Sequence, residues 1–300
     1  MSASHIAAVE AGGTKFRAAV YDRAFAAADR ALEPVAELRV DTTTPDETLA
    51  AVGDFLAGHD VSSLGIASFG PLIVDRASAD YGSVAPTPKP GWTSAPILST
   101  LRERLGVAAD IQTDVEAAAV AEQRFGAGQG HDSVAYVTVG TGIGVGVVRD
   151  GQVLRGRDHL EIGHIPIRRH PSDTDFSGVC PFHGDCLEGL VSGPAINERV
   201  GTPAESLADD HPVWDIVVDH LAQLACVITW AFSPDRILFS GGVGANAHLE
   251  PLLQAATAQH LGGYSVSHAT NGDLVATAGL GNDAGLVGAA LLGASLLADT

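Results

Sequence analysis

His5-Ile6-Ala7-Ala8-Val9-Glu10-Ala11-Gly12-Gly13-Thr14-Lys15-Phe16-Arg17-Ala18-Ala19-Val20-Tyr21 places two apolar runs on either side of a glycine turn. His5 to Val9 reads as a strand, Glu10 to Lys15 as the turn and Phe16 to Tyr21 as the returning strand. The pattern recurs at Ser133 to Val139 and Gly144 to Val148, joined across Gly140-Thr141-Gly142-Ile143. The echo is weak and not a strict repeat. It nevertheless puts a strand hairpin at the head of each half of the chain.

Helices follow the hairpins. Thr44-Pro45-Asp46-Glu47 supplies an N-cap, a proline at the first helical position and a capping-box glutamate. Ile97 to Leu105, Thr113 to Phe125, Val213 to Phe232, His248 to His260 and Gly285 to Leu297 read as further helices. Thr113 serves as an N-cap with Glu116 as its box partner. Leu64 to Phe69 and Arg236 to Phe239 read as buried strands, and Tyr81 to Trp92 as a loop. Strands alternating with helices predict an α/β architecture. The boundary falls near Asp114 to Gly130. That gives a small lobe over residues 1–115, joined by the C-terminal helix 285–300, and a large lobe over 116–284.

Three glycine clusters each follow a strand: Gly12-Gly13-Thr14-Lys15, Gly140-Thr141-Gly142 and Gly241-Gly242-Val243-Gly244. Glycines let backbone N–H groups approach a phosphate, while a threonine hydroxyl or a lysine adds hydrogen bonds or charge. Any one cluster could be a plain tight turn. The three together predict a nucleotide held between lobes, with Gly241 and Gly242 at the adenosine end. No G-x₄-G-K-[ST] run is present, so this is not a Walker loop. The Gly140 cluster leads into a strand, whereas a dinucleotide fingerprint leads into a helix. Asp114, in the first turn of a helix behind a strand, is the candidate general base, and Asp75 is its rival.

Cys180-Pro181-Phe182-His183-Gly184-Asp185-Cys186 carries two thiols and an imidazole, the donors that Zn²⁺ prefers. His159, His164 and His170 precede it as candidates for a fourth ligand, and spacing favours His164. A disulfide is the competing reading. Only three cysteines exist, and no charged-then-apolar leader opens the sequence, so reduced thiols and a cytoplasmic setting are expected. Cys226 reads as a buried small hydrophobe.

The net charge of −19 argues against a nucleic acid backbone or an anionic membrane as partner. The apolar run 284–298 is short for a bilayer span and reads as a buried helix. Lysine is confined to Lys15 and Lys89, against fifteen arginines. Both lysines fall in segments singled out on other grounds.

Glu10-Ala11-Gly12-Gly13-Thr14-Lys15, Thr113-Asp114, Gly140-Thr141-Gly142, Glu161-Ile162-Gly163-His164, the Cys180 to Glu188 run and Ser240-Gly241-Gly242 together resemble the ROK (repressor, open reading frame, kinase) sugar kinases. The Cys-Pro-Phe-His-Gly-Asp-Cys-Leu-Glu-Gly loop and Thr87-Pro88-Lys89-Pro90-Gly91-Trp92 are similar to the bacterial fructokinase branch. The resemblance implies a two-lobed, actin-like (hexokinase-like) α/β fold with a zinc-binding loop over 164–186 and the site in the cleft. It implies ATP-dependent phosphorylation of a hexose at its 6-hydroxyl, D-fructose above all, with Mg²⁺ accompanying ATP. A mannose or glucose kinase, a sugar-binding sensor without turnover and a transcriptional repressor of the same family are the alternatives. The repressor needs a DNA-binding extension, which the acidic charge opposes.

The resemblance assigns Asp114 as base and Glu161, His164, Glu188 and Lys89 to the sugar. It assigns Gly12, Gly13, Thr14, Lys15, Thr141 and Gly142 to the phosphates, and Gly241 and Gly242 to the adenosine. His164, Cys180, His183 and Cys186 would hold a structural zinc. It also implies a homodimer. Glu10 stands where kinases of this fold commonly carry Asp, and Thr113 where many glucokinases carry Asn.

Overall fold

The computed structural model describes residues 5–31, 33–264 and 273–297. The opening hairpin is β1 (His5–Ala11) and β2 (Lys15–Asp22), antiparallel with Ala11 opposite Phe16. Next come β3 (Ala36–Asp41), α1 (Pro45–Ala57), β4 (Val61–Ser68), α2 (Ile97–Leu105), β5 (Ala108–Thr113) and α3 (Asp114–Phe125). The second hairpin is β6 (Ser133–Val139) and β7 (Ile143–Arg149), followed by β8 (Gln152–Val153). After it run α4 (Leu187–Val191), α5 (Gly193–Val200), α6 (Val213–Phe232), β9 (Arg236–Ser240) and α7 (Gly241–Gly244). The series closes with α8 (Leu249–Leu261), β10 (Val275–Thr277) and α9 (Ala284–Ser295).

The two sheets share one plan. The first is ordered β3-β2-β1-β4-β5 and the second β8-β7-β6-β9-β10. In each, the leading strand has two strands joined in antiparallel succession on one side and two parallel strands on the other. The faint sequence echo is therefore a full topological repeat.

Capping fixes where the helices begin. Thr44 Oγ1 accepts the Glu47 N–H at 3.4 Å, with Pro45 at the first position of α1. At α3 the box is reciprocal: Thr113 Oγ1 accepts from Glu116 N at 3.3 Å, and Glu116 Oε2 accepts from Thr113 N at 2.9 Å. Several elements go beyond the sequence reading. β3 is an edge strand whose Glu37, Arg39 and Asp41 face water, so charge protects the edge. α4 and α5 fill the stretch before α6, with Ser192 accepting from Ala195 N at 3.4 Å to start α5. Gly241–Gly244, expected as a glycine turn, closes one helical turn instead.

The chain divides into two compact units. The first comprises the described residues of Met1–Phe125, Arg155–His159 and Asp283–Thr300, and the second those of Gly126–Leu154 and Leu160–Asn282. The first core gathers Val9, Val20, Leu64, Ile66, Trp92 and Leu101. The helix α9 lies on its sheet at van der Waals limits: a Cβ on Gly65 would sit 1.9 Å from Ala289 O, and one on Gly288 2.0 Å from Ala117 O. That approach explains the glycine and alanine content of α9. It also ties α3 to this unit, which reaches Phe125, beyond the expected 115. Residues 298–300 of the expected terminal helix lie outside the described residues.

In the second unit α6 is long and apolar enough to cross a membrane by length and composition. Here it is a core helix. Its Val217, Leu221, Leu224 and Ile228 are fully buried with Val137, Ile237 and Phe239. Cys226 is buried beside them, as expected of a small hydrophobe.

Candidate active site and metal centre

The parallel strands of the first unit end together. Ala11 pairs with Ser68, and Ser68 with Thr113. The Gly12 turn, the Gly70 turn and Asp114 thus leave the sheet along one edge, the carboxyl ends of parallel strands where α/β sheets receive ligands. The Gly12 N–H donates to Lys15 O at 3.0 Å, and a Cβ on Gly12 would lie 2.6 Å from that oxygen. Gly13, Thr14 and Lys15 are exposed at the tip. The Lys89 ammonium donates to Gly13 O. Its loop is held by Trp92, fully buried against Phe16 and Phe69, whose Nε1 donates to Thr43 O at 2.9 Å. Lys89, expected over the sugar, thus has its ammonium on the Gly12-Gly13-Thr14-Lys15 turn.

Asp114 is half-buried, and its Oδ1 accepts the Val115 N–H at 2.9 Å. Burial pushes its carboxyl from 3.8 up to about 6, against the pull of that N–H and with the Glu116 charge adding to the rise. Burial likewise pushes Glu10 up to about 7, with the Arg17 cation opposing and the Asp114 charge adding. Arg17, 6% exposed, meets Glu10 at 3.4 Å, Glu37 at 3.0 Å and Asp283 at 2.7 Å. Two neighbouring carboxyls poised near neutrality are suited to proton transfer. The sequence marks Glu10 only as a departure from the family pattern, because no spacing links residues 10 and 114. The rival Asp75 is occupied in a turn, accepting from Ala77 N at 2.9 Å.

In the second unit the site gathers on Ile143. Its N–H donates to Glu188 Oε2 at 2.9 Å. Its carbonyl lies so near the Glu161–His164 turn that a Cβ on Gly163 would come within 2.0 Å. The preceding hairpin tip is closed by Gly140 N donating to Gly142 O at 2.9 Å, with Thr141 exposed. A Cβ on Gly142 would meet Glu188 Oε2 at 2.6 Å. The Gly241 turn packs behind, with φ +83° and a Cβ position 2.5 Å from Val139 O, so only glycine fits. Gly242 is exposed next to it. The hairpin-tip residues Thr141 and Gly142 and the carboxylate Glu188 thus occupy one patch, with Glu161 at its border.

The ligand atoms of His164, Cys180, His183 and Cys186 lie within 4.8 Å of one another. His164 Nδ1 is 3.4 Å from Cys186 Sγ and 3.7 Å from Cys180 Sγ, and His183 Nδ1 is 3.7 Å from Cys180 Sγ. Tetrahedral zinc with ordinary bond lengths sets N···S edges of about 3.6 Å. The quartet therefore has the size and donor chemistry for zinc. All three cysteines are free thiols, so no disulfide forms. His164 Nε2 faces Glu188 Oε1 at 3.9 Å. The other two histidines are engaged elsewhere. His159 Nε2 accepts from Leu72 N at 3.0 Å, and His170 Nδ1 accepts from Ser172 N at 3.2 Å.

The ROK family profile matches residues 6–295. The chain belongs to the ROK family. Among its ROK relatives, the fructokinase of Pediococcus pentosaceus is 38% identical over 292 residues, covering 97% of this chain and 98% of that one. The fructokinase of Zymomonas mobilis is 40% identical, covering 94% and 93%. A ROK glucokinase from Streptomyces griseus, solved with glucose and AMPPNP, superposes with a TM-score of 0.71 at 27% identity, covering 97% and 99%. The ROK chain described here has the actin-like ATPase fold, with its two mixed sheets of repeated topology.

Proposed function

We propose that this ROK protein is a fructokinase that transfers the γ-phosphoryl group of ATP to the 6-hydroxyl of D-fructose. The observation that carries the reading is Asp114, a half-buried carboxyl at the end of a parallel strand held near pH 6. Fructose is favoured as acceptor by the likeness to fructokinases over nearly the whole of both chains.

Phosphoryl transfer asks for positioning and charge neutralisation more than covalent chemistry. Asp114 accepts the proton of the sugar hydroxyl as its oxygen attacks phosphorus. Glu161, His164 and Glu188 hydrogen-bond the other hydroxyls and fix the ring. The amides of Gly13 and Gly142, the hydroxyls of Thr14 and Thr141, and Lys15 and Lys89 grip the phosphates around the turn that Gly12 closes, while Gly241 and Gly242 admit the adenosine. Mg²⁺ bound with ATP supplies charge neutralisation. His164, Cys180, His183 and Cys186 would hold a structural zinc, which would stiffen the loop that carries Glu188. A cytoplasmic homodimer completes the reading, and light scattering tests the dimer.

The deciding experiment is ADP release with fructose, mannose, glucose and N-acetylmannosamine as acceptors. The expected result is the highest kcat/KM with fructose. A larger value for glucose or mannose reassigns the sugar, and no release with any of them leaves a sugar-binding sensor.

A further inference from the structure

After β8 the chain returns to the first unit for residues 155–159, immediately before the Glu161 turn. It fastens there at two points. His159 takes the Leu72 N–H at 3.0 Å. Arg155 meets Glu116 through a fork of two hydrogen bonds, Nε to Oε1 at 2.8 Å and Nη2 to Oε2 at 2.8 Å. Glu116 is 2% exposed, and its Oε2 also accepts the Thr113 N–H at 2.9 Å. One buried carboxylate therefore closes the capping box directly before Asp114 and receives an arginine from a distant segment.

A buried carboxylate deprived of its cation draws in water or takes up a proton. Either response weakens the acceptor that holds the Thr113 amide. Bidentate arginine also fixes the plane of the carboxylate, which a lysine does not. We infer that Arg155 is a positioning residue for Asp114: through Glu116 it locks the Thr113–Asp114 turn and so aims the base. The inference rests on the reading of Asp114 as the base of a sugar kinase. The capping bond itself needs only an oxygen at position 116. The charge of Glu116 is what makes Arg155 necessary.

The test uses the full-length protein with Arg155→Ala, Arg155→Lys and the double variant Arg155→Ala/Glu116→Gln. Misplacing a reacting group by about an ångström costs roughly 10²-fold in rate. Arg155→Ala should therefore lower kcat by about 10- to 100-fold while the KM values for ATP and hexose stay within about two-fold. Arg155→Lys should fall between it and the parent, and carries the test if Arg155→Ala does not fold. The Glu116→Gln change keeps an oxygen for the Thr113 amide without a charge, so the double variant should recover most of the lost kcat. Amide exchange at Thr113 should be faster in Arg155→Ala and slow again in the double variant.

Wild-type kcat and unchanged Thr113 protection in Arg155→Ala would overturn the inference, as would a double variant no better than the single one. Should the parent protein phosphorylate no hexose, the kinase reading falls on that result alone. The exchange measurement still decides whether Arg155 holds the turn.

Discussion

Glu188 Oε2 accepts the backbone N–H of Ile143 at 2.9 Å, and the same oxygen occupies the space that a side chain on Gly142 would need. The carboxylate that follows the Cys180–Cys186 loop is thus seated in the tip of the hairpin that carries Gly142. A change on either side should be felt on the other. Gly142→Ala forces Glu188 to move, at a typical overpacking cost of ~1–3 kcal/mol. Steady-state kinetics should show the hexose KM or kcat worsened by roughly ten-fold or more. An effect on the ATP KM alone would show that Gly142 serves only the phosphates.

Glu188→Gln keeps the shape of the side chain and removes its charge. The amide can still accept from Ile143 N through its oxygen, so the fold should hold. Hexose KM or kcat should suffer far more than ATP KM, because a ring hydroxyl loses a charged acceptor, worth ~1.5–3 kcal/mol. Equal effects on both substrates would count against its place in the sugar site.

Asp114 makes activity and stability run in opposite directions with pH. A general base works when ionised, so turnover should fall with acid as Glu10 and Asp114 take up protons through the window from about 7 to about 6. The folded-state carboxyl of Asp114 binds its proton more tightly than the unfolded one, so the stability it lends is complete below 3.8 and lost as pH rises through about 6. That loss is at most ~3 kcal/mol at 1.36 kcal/mol per unit, reduced by the partial solvation of the carboxyl. Asp114→Asn should cut kcat by ~10²-fold or more. It should also raise the melting temperature at pH 8, with little difference from the parent below pH ~4. A variant of normal turnover removes Asp114 from the base role.

The architecture was legible wherever local rules decide it. Thr44, Thr113 and their box partners announced two helix starts, and both are made by the hydrogen bonds those residues predict. The closeness of Cys180, His183 and Cys186 was legible because they share one short loop, whereas His164 was favoured over His159 and His170 only by spacing and the family resemblance. What stayed hidden depends on side-chain contacts between segments far apart in the sequence. Glu10 sits opposite Arg17 on the returning strand. The arginine then reaches Asp283, which lies just before the final helix. The Arg155–Glu116 fork is hidden for the same reason, since the arginine returns to a completed helix only after the three strands β6 to β8. β3 escaped notice because an edge strand with charges on every other residue has little apolar signal.

Metal analysis should find about one zinc per chain. Cys186→Ser should lose that zinc, lower the melting temperature and weaken hexose binding, because Cys186 directly precedes the helix α4 that bears Glu188. Burial pushes the Cys186 thiol up to about 11 when no cation is near, so zinc uptake at neutral pH must expel its proton. Chelation should therefore be easier in acid, and a buffer of known proton-binding enthalpy in calorimetry would register the release. A zinc-free preparation with full activity and unchanged melting would sink the structural role.

Lys89 can be assigned to one substrate or the other by experiment. Its loop was expected above the sugar, yet its ammonium is tied to the carbonyl of Gly13 at the tip of the first hairpin. If that turn grips ATP, as proposed, a cation there would add to the charge of Lys15 at the phosphates. Lys89→Met keeps the length of the stem and removes the charge. Losing one charge-assisted contact at a partly solvated site, worth ~1 kcal/mol or somewhat more, should raise the ATP KM roughly five- to ten-fold. The defect should shrink at high ionic strength, where the parent loses the same attraction to screening. Hexose KM should stay within about two-fold of the parent, since the Trp92 anchor of the loop is untouched. The reverse split, with hexose KM raised and ATP KM preserved, would return Lys89 to the sugar and show that its bond to Gly13 gives way when substrate binds.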